Sequence, residues 1–309
     1  NGPIPYAPDG LPLIGPMPGV LNAFEACVFT FGIVQAGGAG RLLAEMIVEV
    51  ETESDSWAVD PRRFTDHVDQ TYTTAKAIET YSHEYAMHFP QIQWPAGRKV
   101  KLSPLYDRFA AAGAEFGSYG GWERADWFPK NGADRHPANS YDRQHWFDTV
   151  GKECRHVAEH AGIIELTGFS RFHLKGDGAA DWLASLITGN LPQVGRFGLV
   201  YFASAKGKVL TEMSATRLAE DEFLLITGAG AYWHDRDLLN GCLPTSGGVS
   251  LQDTTRDYAT LLVTGPKSPA IIAAVSGLST SQVDFPWLSH QPCQIAGCWV
   301  TAIPVSYTH

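Results

Sequence analysis

Two stretches of this 309-residue chain carry residue types that could do chemistry. The first is KVLTEMSATR, residues 208–217, where Glu212 stands among Val209, Leu210 and Met213. A carboxylate in such surroundings either pairs with a basic neighbour or has its pKa raised and works as a base. The alternative is a surface-facing strand glutamate, because successive strand residues point to opposite faces. The second stretch is FTFGIVQAGGAGRLLAE, residues 29–45, where an apolar run leads into Gly32, Gly37, Gly38 and Gly40. Glycine lets a ligand approach the main chain closely. A helix that starts after such a turn offers unpaired N–H groups and the positive end of its dipole. That suits an anion or the electron-rich edge of a ring, and a plain tight turn before a packed helix fits the same residues. The spacing is not GxGxxG, so the dinucleotide fingerprint is absent.

Other chemistries have weaker support. Eleven histidines include His83 and His88, five apart, and His156 and His160, four apart on an expected helix. The second pair has ligand spacing, but no HExxH and no third ligand accompanies it, so no metal site is expected. There is no GxSxG elbow and no P-loop. Trp122, Trp127 and Trp146 lie in an aromatic-rich region that reads as a core patch under a long loop, or as a wall for a flat ligand.

The elements that must position these residues follow from periodicity. Runs at 11–14 and 26–34 read as strands, and 41–50 as a helix with Leu42, Leu43, Met46 and Ile47 on one face. This resembles the closing strand, turn and helix of a larger α/β domain, since about 50 residues bury too little surface alone. Residues 66–85 read as a polar helix, 104–114 and 148–160 as further helices, and 163–166 and 169–175 as strands. Strands at 196–204 and 208–217 pair across the turn Ala205-Lys206-Gly207, followed by a strand at 221–227 and a helix at 232–240. A strand at 257–264, a helix at 268–275 and a hairpin over 293–305 complete the chain. The expected class is α+β with an incomplete α/β piece at the start.

Composition narrows the partners. The formal net charge is −10, from 23 Lys and Arg against 33 Asp and Glu, with no basic block, which argues against nucleic acid and anionic membranes. Cys27, Cys154, Cys242, Cys293 and Cys298 are odd in number and form no CxxC, so reduced thiols in a bacterial cytoplasm or mitochondrial matrix are expected. No apolar run reaches the roughly 18 residues of a membrane span. The chain opens on a Pro/Gly-rich segment without Met and closes on a strand entering a turn, which is expected of a piece of a longer protein.

Eight motifs in order carry a resemblance: GLPLIGP (10–16), FGIVQAGGAGRLLAE (31–45), AVDPRRF (58–64), AGRKVKLSPLYDR (96–108), GGWERADWF (120–128), NLPQVGR (190–196), KGKVLTEMS (206–214) and VTGPKS (263–268). Together they are similar to the dimethylglycine and sarcosine dehydrogenase family of flavoenzymes. These join an FAD-dependent amine oxidase domain to a folate domain like the glycine cleavage T-protein. The resemblance implies three segments: residues 1–52 as the end of the FAD domain, 53–102 as a central domain, and 103–309 as the N-terminal part of the folate domain. It places Phe29, Thr30, Phe31, Gly32, Ile33 and Val34 against the flavin. It places Glu212, Met213 and Ser214 in the tetrahydrofolate site, with the turn of Ser306, Tyr307 and Thr308. The implied reaction removes a hydride equivalent from an N-methyl amine and passes the one-carbon unit to tetrahydrofolate. Electrons then go to an electron-transfer flavoprotein or to oxygen. Glu212 stands where T-proteins carry an aspartate and would accept a proton from, or orient, the attacking folate nitrogen. Alternatives are a folate-dependent aminomethyltransferase or a non-catalytic folate-binding fragment.

Overall fold

The computed structural model describes residues 2–49, 51–90, 92–130 and 140–305. The chain forms two compact units, Asn1–Thr149 with Ala229–Gly241, and Val150–Gly228 with Cys242–His309.

The first unit starts with an antiparallel hairpin, β1 (Leu13–Pro16) and β2 (Phe24–Cys27), against which helix α1 (Gly32–Val48) lies. The expected strand at 26–34 therefore ends at Cys27, and α1 begins nine residues ahead of the expected start at Arg41. Gly37, Gly38 and Gly40 lie inside the helix. Each glycine costs about 1 kcal/mol there relative to alanine. Propagation still adds one hydrogen bond per residue, which the Gln35 N–H to Phe31 carbonyl bond (3.1 Å) begins.

Two short 3₁₀ turns, Trp57–Val59 and Pro61–Arg63, follow. Asp60 caps the second, accepting from the Arg62 N–H at 2.8 Å and pairing with its guanidinium at 2.7 Å. Helix α2 (Gln70–Ser82) is capped by Asp69, whose Oδ1 accepts from the Tyr72 N–H at 2.7 Å. Helix α3 (Tyr106–Ala111) leads into the hairpin of β3 (Glu115–Tyr119) and β4 (Trp122–Trp127). The aromatic-rich region expected under a long loop is thus largely a β-hairpin. Its tight turn needs Gly120 and Gly121 at φ of 56° and 83°, and a Cβ on Gly121 would fall 2.5 Å from the His67 ring.

Charged groups pin this unit. Glu123 is buried and receives the Arg98 Nε at 2.8 Å and the Lys99 N–H at 2.7 Å. Lys101 is buried too, pairing with Asp66 and donating to Thr65 Oγ1 at 2.9 Å. His67 beside them has its pKa lowered to about 4, first by burial and then by the Lys101 charge.

Helix α4 (Phe147–Glu159) leads into the second unit, with β5 (Gly162–Glu165), β6 (Ser170–Lys175), α5 (Ala179–Leu186), β7 (Ile187–Thr188), β8 (Phe197–Ala203), β9 (Val209–Ala219) and β10 (Glu222–Thr227). Helix α6 (Tyr232–Cys242) returns, up to Gly241, to the first unit. Strands β11 (Ser250–Asp253) and β12 (Leu261–Thr264), helix α7 (Ser268–Ser276), and the hairpin β13 (Gln291–Ile295) and β14 (Cys298–Ala302) complete the second.

Its centre is a six-stranded antiparallel sheet in the order β11-β6-β10-β9-β8-β7. One face supplies the core: Phe172, Leu174, Val200, Phe202, Met213, Ala215, Phe223 and Leu225 are buried, as are Ala179 and Leu183 of α5. Buried Arg171 ties β6 to the segment ahead of β12, donating to the carbonyls of Thr255 and Tyr258 and to Thr260 Oγ1 at 2.6–2.8 Å. Gly176 has φ of 117° and sits so close to Gly248 that a Cβ would lie 1.8 Å from its carbonyl oxygen. Strand β11 (SLQD) was not expected from the sequence, because its residues show neither apolar alternation nor a continuous apolar run.

Candidate functional site

Strand β9 is an interior strand, paired with β8 on one side and β10 on the other. Both neighbours are antiparallel, so between its bulges, from Thr211 to Arg217, its side chains alternate between two faces. Met213 pairs with Val200 in the core and is 1 % exposed. Glu212 and Ser214 therefore share the opposite face, and Glu212 is exposed. Of the three folate-site residues implied on this strand, Glu212 and Ser214 face one way, while the Met213 side chain serves the core.

The Glu212 face is partly apolar and open: Leu199, Tyr201, Val209 and Leu210 are all exposed. Tyr201 stands directly across from Glu212 in the ladder, and the nearby carboxylate raises the pKa of its phenol. Ser214 donates its hydroxyl to the Ile226 carbonyl over a long 3.4 Å. Farther along the same face Thr216 is fully buried, so the face is closed at that end and open at Glu212. The arrangement is a flat floor with one carboxylate at its accessible end. It suits a planar ligand that presents an N–H or N⁺–H group. Sequence reasoning gave Glu212 and missed Tyr201. Tyr307 and Thr308, implied in the same site, lie outside the described residues.

In the first unit, Phe31 precedes α1 as its N-cap, and no side chain caps the helix start. Phe29, Thr30 and Gly32 are half-buried, Phe31 is exposed, and Ile33 and Val34 project outward at 97 % and 82 % exposure. The N–H groups expected to face a ligand thus belong to residues 32–34 rather than to the Arg41 region. A Cβ added at Gly37, Gly38 or Gly40 would meet no atom within 4 Å. The bare helix start and the glycine stripe leave room for a flat group to approach the backbone.

Residues 105–309 match the family model described as the GCVT N-terminal domain. The chain belongs to the GCVT N-terminal domain family. Residues 51–103, ahead of that match, fit the model described as the FAD dependent oxidoreductase central domain. The chain is 34 % identical over 310 residues to mitochondrial dimethylglycine dehydrogenase of Mus musculus, covering 100 % of this chain and 36 % of that protein. It is 28 % identical to mitochondrial sarcosine dehydrogenase of the same species over 352 residues, covering 99 % and 38 %. The chain thus spans little more than a third of the curated relatives it matches. Among solved structures, the glycine cleavage system aminomethyltransferase T of Bartonella henselae aligns with a TM-score of 0.50 at 23 % identity, over 62 % of this chain and 46 % of that one. The two share a fold over that region. The expected resemblance to the dimethylglycine and sarcosine dehydrogenases therefore holds over the whole chain. Among the described residues, no helix is long and apolar enough to cross a membrane.

Proposed function

We propose that this chain is the folate-coupling part of an FAD-dependent oxidative demethylase of N-methyl amines, of the dimethylglycine or sarcosine type. Residues 1–52 form the end of the FAD domain, 53–102 the central domain, and 103–309 the N-terminal part of the folate domain. The observation that carries the reading is the Glu212 face of β9. It is an open floor with a carboxylate at its accessible end, backed by a core that includes Met213.

FAD, when bound, supplies the two-electron acceptor for oxidation of the N-methyl group, and tetrahydrofolate receives the one-carbon unit. The helix start at residues 29–34 would hold the flavin edge, with main-chain donors of Gly32, Ile33 and Val34 and a glycine stripe that admits close approach. Glu212 holds or accepts a proton at the folate nitrogen that attacks the one-carbon unit. Leu199 and Leu210 supply apolar floor for a flat ring. The final electron acceptor is an electron-transfer flavoprotein or oxygen, and the compartment is a mitochondrial matrix or bacterial cytoplasm. A stand-alone aminomethyltransferase is disfavoured by the match of residues 51–103 to an FAD-dependent oxidoreductase domain.

Titration of the chain with tetrahydrofolate, read by calorimetry and tryptophan quenching, tests the site. Saturable binding that Glu212→Ala weakens at least tenfold supports the reading. A folded chain that does not bind, or binds equally well without the carboxylate, overturns it.

A further inference from the structure

We propose that Arg171 is a positioning residue for the Glu212 floor: its buried guanidinium holds residues 254–260 as the wall against which the folate lies. This deepens the folate reading above and rests on it.

The ladders place Arg171 on that floor. Arg171 pairs with Ile226, Ile226 with Ser214, and Ser214 with Leu199. Cross-strand partners share a face of the sheet, so these four residues form one row across β6, β10, β9 and β8. Glu212 stands two residues from Ser214 on β9, on the same face and one row further on. From the spacings of strands and of residues along them, the Arg171 and Glu212 backbones lie roughly 12 Å apart. A fused two-ring system with its first substituent can bridge such a span.

The face is open at Glu212 but covered at Arg171, which is 1 % exposed. Its contacts come from the chain between β11 and β12. The guanidinium donates to the carbonyls of Thr167, Thr255 and Tyr258 and to Thr260 Oγ1, at 2.6–2.8 Å. The Arg171 N–H donates to Thr255 Oγ1 at 3.0 Å, and its carbonyl accepts from the Thr254 N–H at 2.9 Å. The Leu166 N–H closes the arc on the Thr260 carbonyl at 2.8 Å. One side chain thus organises an irregular segment whose Arg256, Asp257, Tyr258 and Ala259 are exposed. Arginine suits the task, because its planar fork serves several acceptors at once. A flat ligand lying from Ser214 to Glu212 is bounded by this segment on the β6 side. Holding the wall in place before the ligand arrives removes its ordering cost from binding.

The test is limited trypsin cleavage of the full chain, read beside its affinity for tetrahydrofolate. Trypsin cuts after Arg256 within the wall and after Lys267 outside it, and both residues are exposed. With tetrahydrofolate at about ten times its dissociation constant, cleavage after Arg256 should slow about tenfold, and cleavage after Lys267 should not. Arg171→Lys keeps the charge and loses the fork. It is expected to weaken binding about tenfold and to speed cleavage after Arg256 more than after Lys267. Thr260→Val removes a single acceptor and is the milder variant should Arg171→Lys fail to fold. It should move both readings the same way, by about threefold. Equal slowing at the two sites would show that the ligand stabilises the fold without lying against this wall, and would overturn the proposal. So would wild-type affinity in either folded variant. Absence of tetrahydrofolate binding by the wild-type chain has a different signature and removes the folate reading itself, taking this inference with it.

Discussion

The two units hold themselves together by different means. In the second, the large buried apolar side chains come chiefly from one face of a single sheet: Phe172, Leu174, Val200, Phe202, Met213, Phe223 and Leu225. In the first, short hairpins and helices enclose the buried charges of Asp60, Lys101 and Glu123 together with scattered apolar side chains such as Ile14 and Trp127, and no extended sheet runs through them. The contrast teaches where each candidate site gets its rigidity. Glu212 inherits a fixed direction from a ladder paired on both sides. The start of α1 has no capping side chain and three glycines in its body, so its geometry depends on what lies against it.

The largest expected effect that sharpens this contrast is Phe223→Ala. Phe223 is fully buried in the sheet core, and its truncation should cost about 3–5 kcal/mol in urea unfolding. Glu212→Ala, in the same sheet but on the open face, should change stability by less than about 0.5 kcal/mol. A large loss there would mean that the face is not open.

Arg98→Ala comes next. It leaves Glu123 buried without its bidentate partner. Because the guanidinium itself is partly exposed, a loss near the lower end of about 3–5 kcal/mol is expected in the same measurement. A near-neutral result would show that the charged network does not hold the first unit together.

The third prediction uses pH. The His67 pKa is lowered to about 4 in the folded protein, against an ordinary value near 6.5. Between those values the unfolded chain binds more protons than the folded one. Stability is therefore full above about pH 6.5 and falls as the pH drops toward 4. The thermal midpoint of wild type should decline through that window, and His67→Gln should flatten the decline. An unchanged pH slope in the variant would remove His67 as its cause.

The smallest effect tests α1. Gly38 lies within the helix and has no atom within 4 Å of an added Cβ. Gly38→Ala should raise stability by about 0.4–1 kcal/mol in the isolated chain, by thermal unfolding. The same change should weaken flavin retention in a holoenzyme that uses the stripe for close approach. Stabilisation without any loss of flavin would separate the glycines from the cofactor.

Much of the second unit was legible because its strands alternate. Val200 and Phe202 on β8, and Phe223 and Leu225 on β10, mark the core face in the sequence itself. Pattern reading failed where local preference and final structure diverge. Glycines at 37, 38 and 40 signalled a turn but lie in a helix that continues through them. Gly120 and Gly121 sit in a hairpin turn, inside a glycine- and aromatic-rich stretch whose composition reads as a loop. The grouping of 229–241 with the first unit is a long-range association that no local signal encodes.

The sequence by itself determined the resemblance to folate-linked demethylases, the strand containing Glu212, and the turn at 205–207 that pairs it with β8. Counting back from that turn, where the Ser204 N–H donates to the Lys208 carbonyl at 2.8 Å, places Tyr201 opposite Thr211. Only the tertiary structure decided otherwise. A bulge at Leu210 advances β9 by one residue, setting Glu212 against Tyr201. The physical reason is the two-residue period of a strand: one extra residue reverses which side chains meet on a face. A bulge is settled by how the whole sheet packs, with Met213 and Phe202 both in the core, and not by any residue within the turn.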